Sequence, residues 1–339
     1  MKLPYSSVGA AALCLTSLAL APHARGAELT LAREGWTSWQ VAAVDDAPDW
    51  CCWNEGSWSN GRNSSSAPRT PCRLDSRQQG FGSRDDASTD NVRVYAQTAG
   101  GRIDRLRVFS ATCPVDAATP IRDLGTVAQD DSARWLVDLI KQQNNGSADK
   151  RFQEDVLAAL AINRGDVARD ALAGIARSDS RVETRKQAVF WLAQVRGNEG
   201  ADITSAVMFN DKNADVREHA AFALGQSRSP RVAPDLIRLA NTDREPDVRS
   251  QAWFWLAHTK APETERAIAA ALRKEPVEEV RERAIFALSR LPDERAPRAL
   301  IAAAQDQSLS RDLRKKALFW LSQSESDTAL TYLDEVLSN

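Results

Sequence analysis

The pattern of apolar and polar positions in the second half of the chain repeats with a long period. The arginines of Glu183-Thr184-Arg185, Asp215-Val216-Arg217, Asp247-Val248-Arg249, Glu279-Val280-Arg281 and Asp312-Leu313-Arg314 lie 32, 32, 32 and 33 residues apart. Three residues after each Arg stands Ala (188, 220, 252, 284, 317), five after stands Phe (190, 222, 254, 286, 319), and seven after stands Leu (192, 224, 256, 288, 321). Chance does not hold such columns in register, so the segment is a repeat array. The apolar positions before the Arg and at the Ala and Leu columns share one helical face. The acid before each hydrophobic-Arg pair is expected to be an N-cap. A second helix follows each turn, as in Ala233–Ala240, Thr264–Leu272 and Pro297–Ala304, with Pro230, Pro262 and Pro297 near their starts, where a missing N–H costs little. A weaker copy with Phe152, Val156 and Leu160 precedes the array.

These columns resemble the HEAT-repeat family, in the short-period form also seen in phycobilisome-lyase-type repeats. The resemblance covers about residues 125–339. It implies a mainly α fold, an α-solenoid of HEAT-like helix pairs. HEAT repeats carry an acid six residues before the Arg, and Asp179, Asp211, Asp243 and Glu275 match. Before Arg314 the register slips, and Asp306 lies eight back. The resemblance implies a structural ladder of Asp179, Arg185, Asp211, Arg217, Asp243, Arg249, Glu275, Arg281 and Arg314 linking neighbouring repeats. Within it Arg249 is expected to pair with its nearest acid, Asp243.

The resemblance also places the Arg-bearing helices on the concave side. On a helical wheel the Phe column points almost opposite the buried face. Its wheel neighbours are polar: Gln187 and Gln194, His219 and Gln226, Gln251 and His258, Arg283 and Arg290, Lys316 and Gln323. The candidate protein-binding groove is therefore Phe190, Phe222, Phe254, Phe286 and Phe319 with Gln187, His219, Gln226, Gln251, His258 and Arg283. Packing of the rings between adjacent helices is the competing reading. The next column alternates Trp191, Ala223, Trp255, Ala287 and Trp320, which reads as interlocking side packing. His219 and His258, if unperturbed, change charge near pH ~6.5.

The first half differs. A positive Lys2, a 15-residue apolar run from Ser7 to Ala21, Pro22 and small residues at Ala24 and Gly26 read as a signal peptide over 1–26. The run is shorter than the roughly 20 residues of a membrane span. Residues 27–118 read as a small β-rich, Cys/Trp-containing domain, and 119–339 as the solenoid. The β segment holds Cys51, Cys52, Cys72 and Cys113, Trp36, Trp39, Trp50, Trp53 and Trp58, and no Lys. Its tryptophans read as core. Asn54–Pro71, rich in Ser, Asn, Gly and Pro, is expected to be loop, and Asn91–Ala111 a β-hairpin turning at Gly100-Gly101. Four cysteines in an exported segment imply two disulfides. Setting aside a vicinal bond leaves 51–72 with 52–113, or 51–113 with 52–72. A four-thiolate zinc site lacks the usual paired knuckles.

Composition narrows the functions. Arg and Lys number 44 against 46 Asp and Glu, and losing Lys2 and Arg25 takes the net charge from −2 to −4. That opposes nucleic acid as a partner. Neither His219 nor His258 is followed by Glu, as a di-iron hydroxylase of this architecture would need. No nucleophile elbow, phosphate loop or metal-spaced His cluster is present. No catalytic residue, metal or cofactor is expected. The reading is a scaffold, exported to the periplasm of a Gram-negative bacterium, that binds another protein or peptide of the cell envelope and has no membrane span in its mature chain. A lyase or maturation-type enzyme acting on a bound protein, and a purely structural envelope component, are the alternatives.

Overall fold

The sequence alternates extended and helical patterns in that order, and a computed structural model of the chain follows suit. It describes residues 29–53, 69–76, 81–143 and 150–338. The 1–26 leader, Trp58 and most of the 54–71 segment lie outside these. The strands are β1 (Gly35–Ala42), β2 (Pro48–Trp53), β3 (Arg69–Thr70), β4 (Cys72–Arg73), β5 (Phe81–Ser88), β6 (Asn91–Ala99), β7 (Arg102–Ser110), β8 (Val115–Asp116) and β9 (Ile121–Thr126). β7, β6, β1 and β9 form a four-stranded sheet in that order, antiparallel except for the parallel β1–β9 pair. The β6–β7 hairpin turns where foreseen. Gly100 and Gly101 take φ of 57° and 73° there, a left-handed pair that side chains resist.

Alternation along these strands gives the sheet two different faces. Trp39, Val41, Val92, Val94, Leu106 and Val108 point to the helices and share their core. Trp36, Tyr95 and Phe109 point the other way, onto Cys51, Cys52, Cys72, Leu74 and Cys113. The sulfurs close as Cys51–Cys113 and Cys52–Cys72, which selects one of the two open pairings. Three cysteine sulfurs fall within 4.8 Å of one another, but both disulfides consume the thiolates that a metal would need.

The helices are α1 (Gln129–Gln143), α2 (Lys150–Ile162), α3 (Asp166–Ser178), α4 (Val182–Val195), α5 (Gly197–Asn210), α6 (Ala214–Gly225), α7 (Val232–Thr242), α8 (Pro246–His258), α9 (Thr264–Lys274), α10 (Glu278–Ser289), α11 (Arg295–Gln305), α12 (Arg311–Ser322) and α13 (Asp327–Ser338). Even-numbered helices lie side by side in one layer, and odd-numbered helices form the other. The even layer is the more tightly packed, because the buried column Ala188, Ala220, Ala252, Ala284 and Ala317 lets neighbouring axes approach. The odd layer is looser; α4, α6, α8, α10 and α12 form the layer expected to be the inner one. None of these helices is long and apolar enough to cross a membrane.

Helix starts differ from the expectation in one respect. Glu183, Asp215, Asp247, Glu279 and Asp312 lie within the first turns, not at the caps. There they meet the positive end of the helix dipole. At these five starts the side-chain caps are Asn213 on Val216 N–H and Ser310 on Leu313 N–H, both at 3.2 Å.

Sheet and array are joined by more than a linker. The Trp39 indole donates to Ser132 Oγ at 2.9 Å and meets Trp135 edge-on at 5.1 Å. Val44 N–H donates to Ile162 C=O and Arg164 N–H to Ala42 C=O, each at 2.9 Å. Arg107 pairs with Asp155 of α2. Arg196, at the end of α4, reaches Asn163 C=O at 2.5 Å. Its burial pulls the guanidinium pKa down to about 10. The chain leaving β1 thus pairs with the turn after α2, and the sheet caps the first repeats.

Candidate functional site

Two systems of side chains run along the inner layer, one structural and one facing outward. The first is a chain of arginine clamps. Arg217 donates from Nε and Nη2 to both oxygens of Asp243, at 2.7 and 2.8 Å, and from Nη1 to Asp211 C=O at 3.0 Å. Arg185 does the same to Asp211, at 2.8 and 3.1 Å, and to Asp179 C=O at 2.9 Å. Arg249 binds Glu275 at 2.9 and 2.7 Å and Asp243 C=O at 2.8 Å. Each Arg therefore holds the main chain of its own repeat and the carboxylate of the next. Arg249 meets the Asp243 backbone but not its side chain, which belongs to Arg217. Each acid also closes its own turn, as Asp211, Asp243 and Glu275 accept N–H bonds from Asn213, Glu245 and Val277.

The electrostatics follow. Burial pushes the Asp243 and Glu275 carboxyls up, yet hydrogen bonds from Arg217 and Arg249, helped by backbone N–H groups, hold them below the usual range. Hydrogen bonds to those acids raise Arg217 and Arg249. The clamp is not continuous. Where the repeat lengthens by one residue, Arg273 takes Asp306 at 2.6 Å, and Arg281 turns to Glu278. Arg314 donates to Leu309 C=O at 2.7 Å. At the other end Asp179 is engaged by Arg181 at 3.1 Å.

The second system is aromatic. Phe190 stacks on Phe222 at 6.0 Å, and Phe254 on Phe286 at 6.0 Å. Between the pairs, Trp255 leans on Phe222 at 4.9 Å, and Trp320 leans on Phe286 at 4.7 Å. Trp191 touches Phe190 at 5.3 Å and Trp50 of the cap at 5.4 Å. The rings thus form one ribbon from β2 to α12. Phe190, Phe222, Phe254 and Phe286 are half-buried, while Phe319 is 53% exposed. The rings pack between neighbouring helices and keep an open edge.

The Trp members were not among the groove residues expected from sequence. The alternating Trp/Ala column held the signal. An indole leans back over a repeat whose own residue is the fully buried Ala223 or Ala287. Gly225 permits this approach, since a Cβ there would stand 3.1 Å from Trp255 Cβ.

Of the flanking polar residues, Gln226, His258 and Arg283 are exposed, and Gln187 and Gln251 are half-buried. Gln187 donates to Glu154 at 2.8 Å, and the His258 ring nitrogen lies 2.8 Å from Phe254 C=O. His219 does not keep its ordinary value. It sits 5.3 Å from the Phe222 ring and 6.4 Å from Phe190. Burial first, then the Lys186 charge, pull its pKa down to about 4 against an opposing pull from Glu183. It stays uncharged at mildly acidic pH and is no sensor there.

The lowered value has a consequence for stability. The unfolded chain binds a proton on His219 near pH ~6.5 and the folded chain only near 4, so stability falls as pH drops through that window. Allowing for partial exposure of the ring, the loss by pH ~5 is about 1 kcal/mol. His219→Gln is expected to flatten this part of the profile in urea titrations. A parallel slope in the variant would contradict the burial of the ring.

Stacked helix pairs in two layers, clamped from repeat to repeat, define an α-solenoid. Residues 169–257 and 234–322 match the family model of HEAT repeats, so this part of the array is built of HEAT repeats. Among solved structures, it is similar to human deoxyhypusine hydroxylase in complex with glycerol. That match has 25% identity, covers 50% of this chain and 67% of that chain, and has a TM-score of 0.33. Among curated proteins, none matches the chain.

Proposed function

We propose that the chain is an exported scaffold that holds another protein of the cell envelope on the concave side of its HEAT array. The observation that carries this reading is the ribbon of half-exposed rings on the inner helices. Aromatic groups that keep an open edge while fixed by their neighbours are strong anchors at little cost in conformational entropy. Solenoids use such long inner surfaces to bind. Two disulfides in the cap and the apolar leader support export to the periplasm.

The test is affinity capture from an envelope extract with the mature protein. Phe222→Ala/Phe254→Ala is expected to lose the captured partner, whereas Arg266→Ala/Lys274→Ala on the outer helix α9 keeps it. Undiminished capture by the Phe variant, shown by circular dichroism to be folded, would overturn the reading and turn attention to the Trp-rich cap. Cell fractionation checks the compartment, with the protein expected in the periplasmic fraction after leader removal.

A further inference from the structure

We propose that two copies of the chain associate through the helix pair α12 and α13, about a two-fold axis that runs along these helices. This surface is separate from the aromatic ribbon and does not depend on what the ribbon binds. The four exposed large apolar side chains among the described residues, Phe319, Leu330, Val336 and Leu337, all lie on this pair, and Leu337 is 83% exposed. The inner helices show why. Each turns the positions one, four and eight after its clamp Arg towards the next inner helix. In α8 these are Ser250, Trp253 and Ala257, all buried. In α12 they are Lys315, Leu318 and Ser322, of which Lys315 and Ser322 are exposed and Leu318 is half-buried. Phe319 is open where the four earlier Phe of its column are half-buried. The end of a solenoid is ordinarily sealed by a polar outer face. An apolar face this open marks an interaction site.

Charge selects the partner. Arg185, Arg217 and Arg249 each grip a carboxylate of the following repeat. Arg314 stands in the same column and donates to Leu309 C=O at 2.7 Å, but no ion-pair partner engages it among the described residues. Beside it Lys315 has Asp312 at 3.9 Å, with both side chains mostly exposed, a pair worth little. On α13 Asp334 is exposed and has no ion-pair partner among the described residues. The face thus carries a basic edge on α12 and an acidic edge on α13. A partner of one charge sign answers only half of it, whereas a second copy turned over answers both.

The register fits that arrangement. A short turn joins α12, ending at Ser322, to α13, starting at Asp327, and brings the second helix back antiparallel beside the first. Lys315 lies seven residues before Ser322, and Asp334 seven after Asp327; Phe319 lies three before, and Leu330 three after. At equal rise per residue Lys315 and Asp334 stand level, as do Phe319 and Leu330. A two-fold axis along the helices lays α12 of each copy on α13 of the other and keeps those levels. Arg314 and Lys315 then face Asp334, and Phe319 faces Leu330, twice in a four-helix bundle. The perpendicular axis sets α12 on α12 and α13 on α13, so like charges meet.

Sedimentation equilibrium of the purified protein is the test. A monomer–dimer equilibrium is expected between about 1 and about 100 µM, as suits an interface of modest area. Leu330→Glu/Leu337→Glu, at exposed positions, is expected to weaken association about tenfold or more. Arg314→Glu/Lys315→Glu and Asp334→Lys should each weaken it as well, because like charges then face each other twice across the axis. An equimolar mixture of these two variants should recover the dimer, since opposite charges meet at both places in the mixed pair. Circular dichroism checks that each variant is folded. A monomer throughout that range, or a dimer indifferent to Leu330 and Leu337, overturns the proposal. So does a mixture of folded variants that stays monomeric, and so do open-ended polymers, which a closed two-fold pair does not form.

Discussion

Arg217→Ala lowers the stability of the array by about 3–5 kcal/mol. The Arg217 side chain is 3% exposed and meets Asp243 on both oxygens, and the Asp243 side chain is 6% exposed. Truncation leaves that carboxylate buried without a cation and the Asp211 carbonyl without a donor. Each repeat rests only on its neighbours, so the loss spreads along the array and is not confined to one helix pair. Denaturant titration of wild type and variant measures it. The Asp243 carboxyl is held below its ordinary value by Arg217. Its contribution is therefore full above the unfolded carboxyl pKa and is lost as pH falls through the lower folded one. The difference between the two proteins should shrink in that acid range. The same geometry predicts which pairs couple. Arg249→Ala with Glu275→Gln is expected to be non-additive by about 1–3 kcal/mol. Arg249→Ala with Asp243→Asn is expected to couple less than that pair, because Asn keeps the main-chain carbonyl that Arg249 uses and the Asp243 carboxylate is bonded to Arg217 instead. Strong coupling in the second cycle would contradict the forward reach of the clamp.

Reduction of the two disulfides destabilises the outer layer of the cap. Cys51–Cys113 closes a separation of 62 residues and Cys52–Cys72 one of 20. Loop closure assigns them about 4 and about 3 kcal/mol in the unfolded-state model. The layer beneath is the four-stranded sheet, whose other face is buried on α1 and α2. Hydrogen exchange in reductant should therefore rise first in β2, β4 and β8, then in the sheet and the first helices. From α4 to α12, which hold no cysteine, protection should persist. Free thiols at Cys51, Cys52, Cys72 and Cys113 in the oxidised, denatured protein would contradict the disulfides, and uniform exchange along the array would contradict the layering.

The array was legible because each column of Ala, Phe and Leu is a packing requirement met once per repeat. The hairpin at Gly100-Gly101 was legible because two left-handed residues need glycine. The clamp's direction was not, since Asp243 and Arg249 are neighbours in sequence, whereas the carboxylate points back to a guanidinium 26 residues earlier. Nor was the cap's architecture, which depends on β9 returning parallel to β1 across most of the segment. The disulfide pairing stayed open for the same reason, because adjacent Cys51 and Cys52 differ only in the face each takes on β2. The depressed pKa of His219 required knowing that rings on two helices close over it.

The central claim is that the inner aromatic surface receives a partner. Site-specific photocrosslinking in living cells tests it most directly. A photoreactive residue at Gln226 or Arg290, both exposed on the inner layer, should give one shared crosslinked species. The same residue at Arg266 or Lys274 on the outer layer should give none. Crosslinks from the outer positions alone, or equally from both layers, would contradict the account.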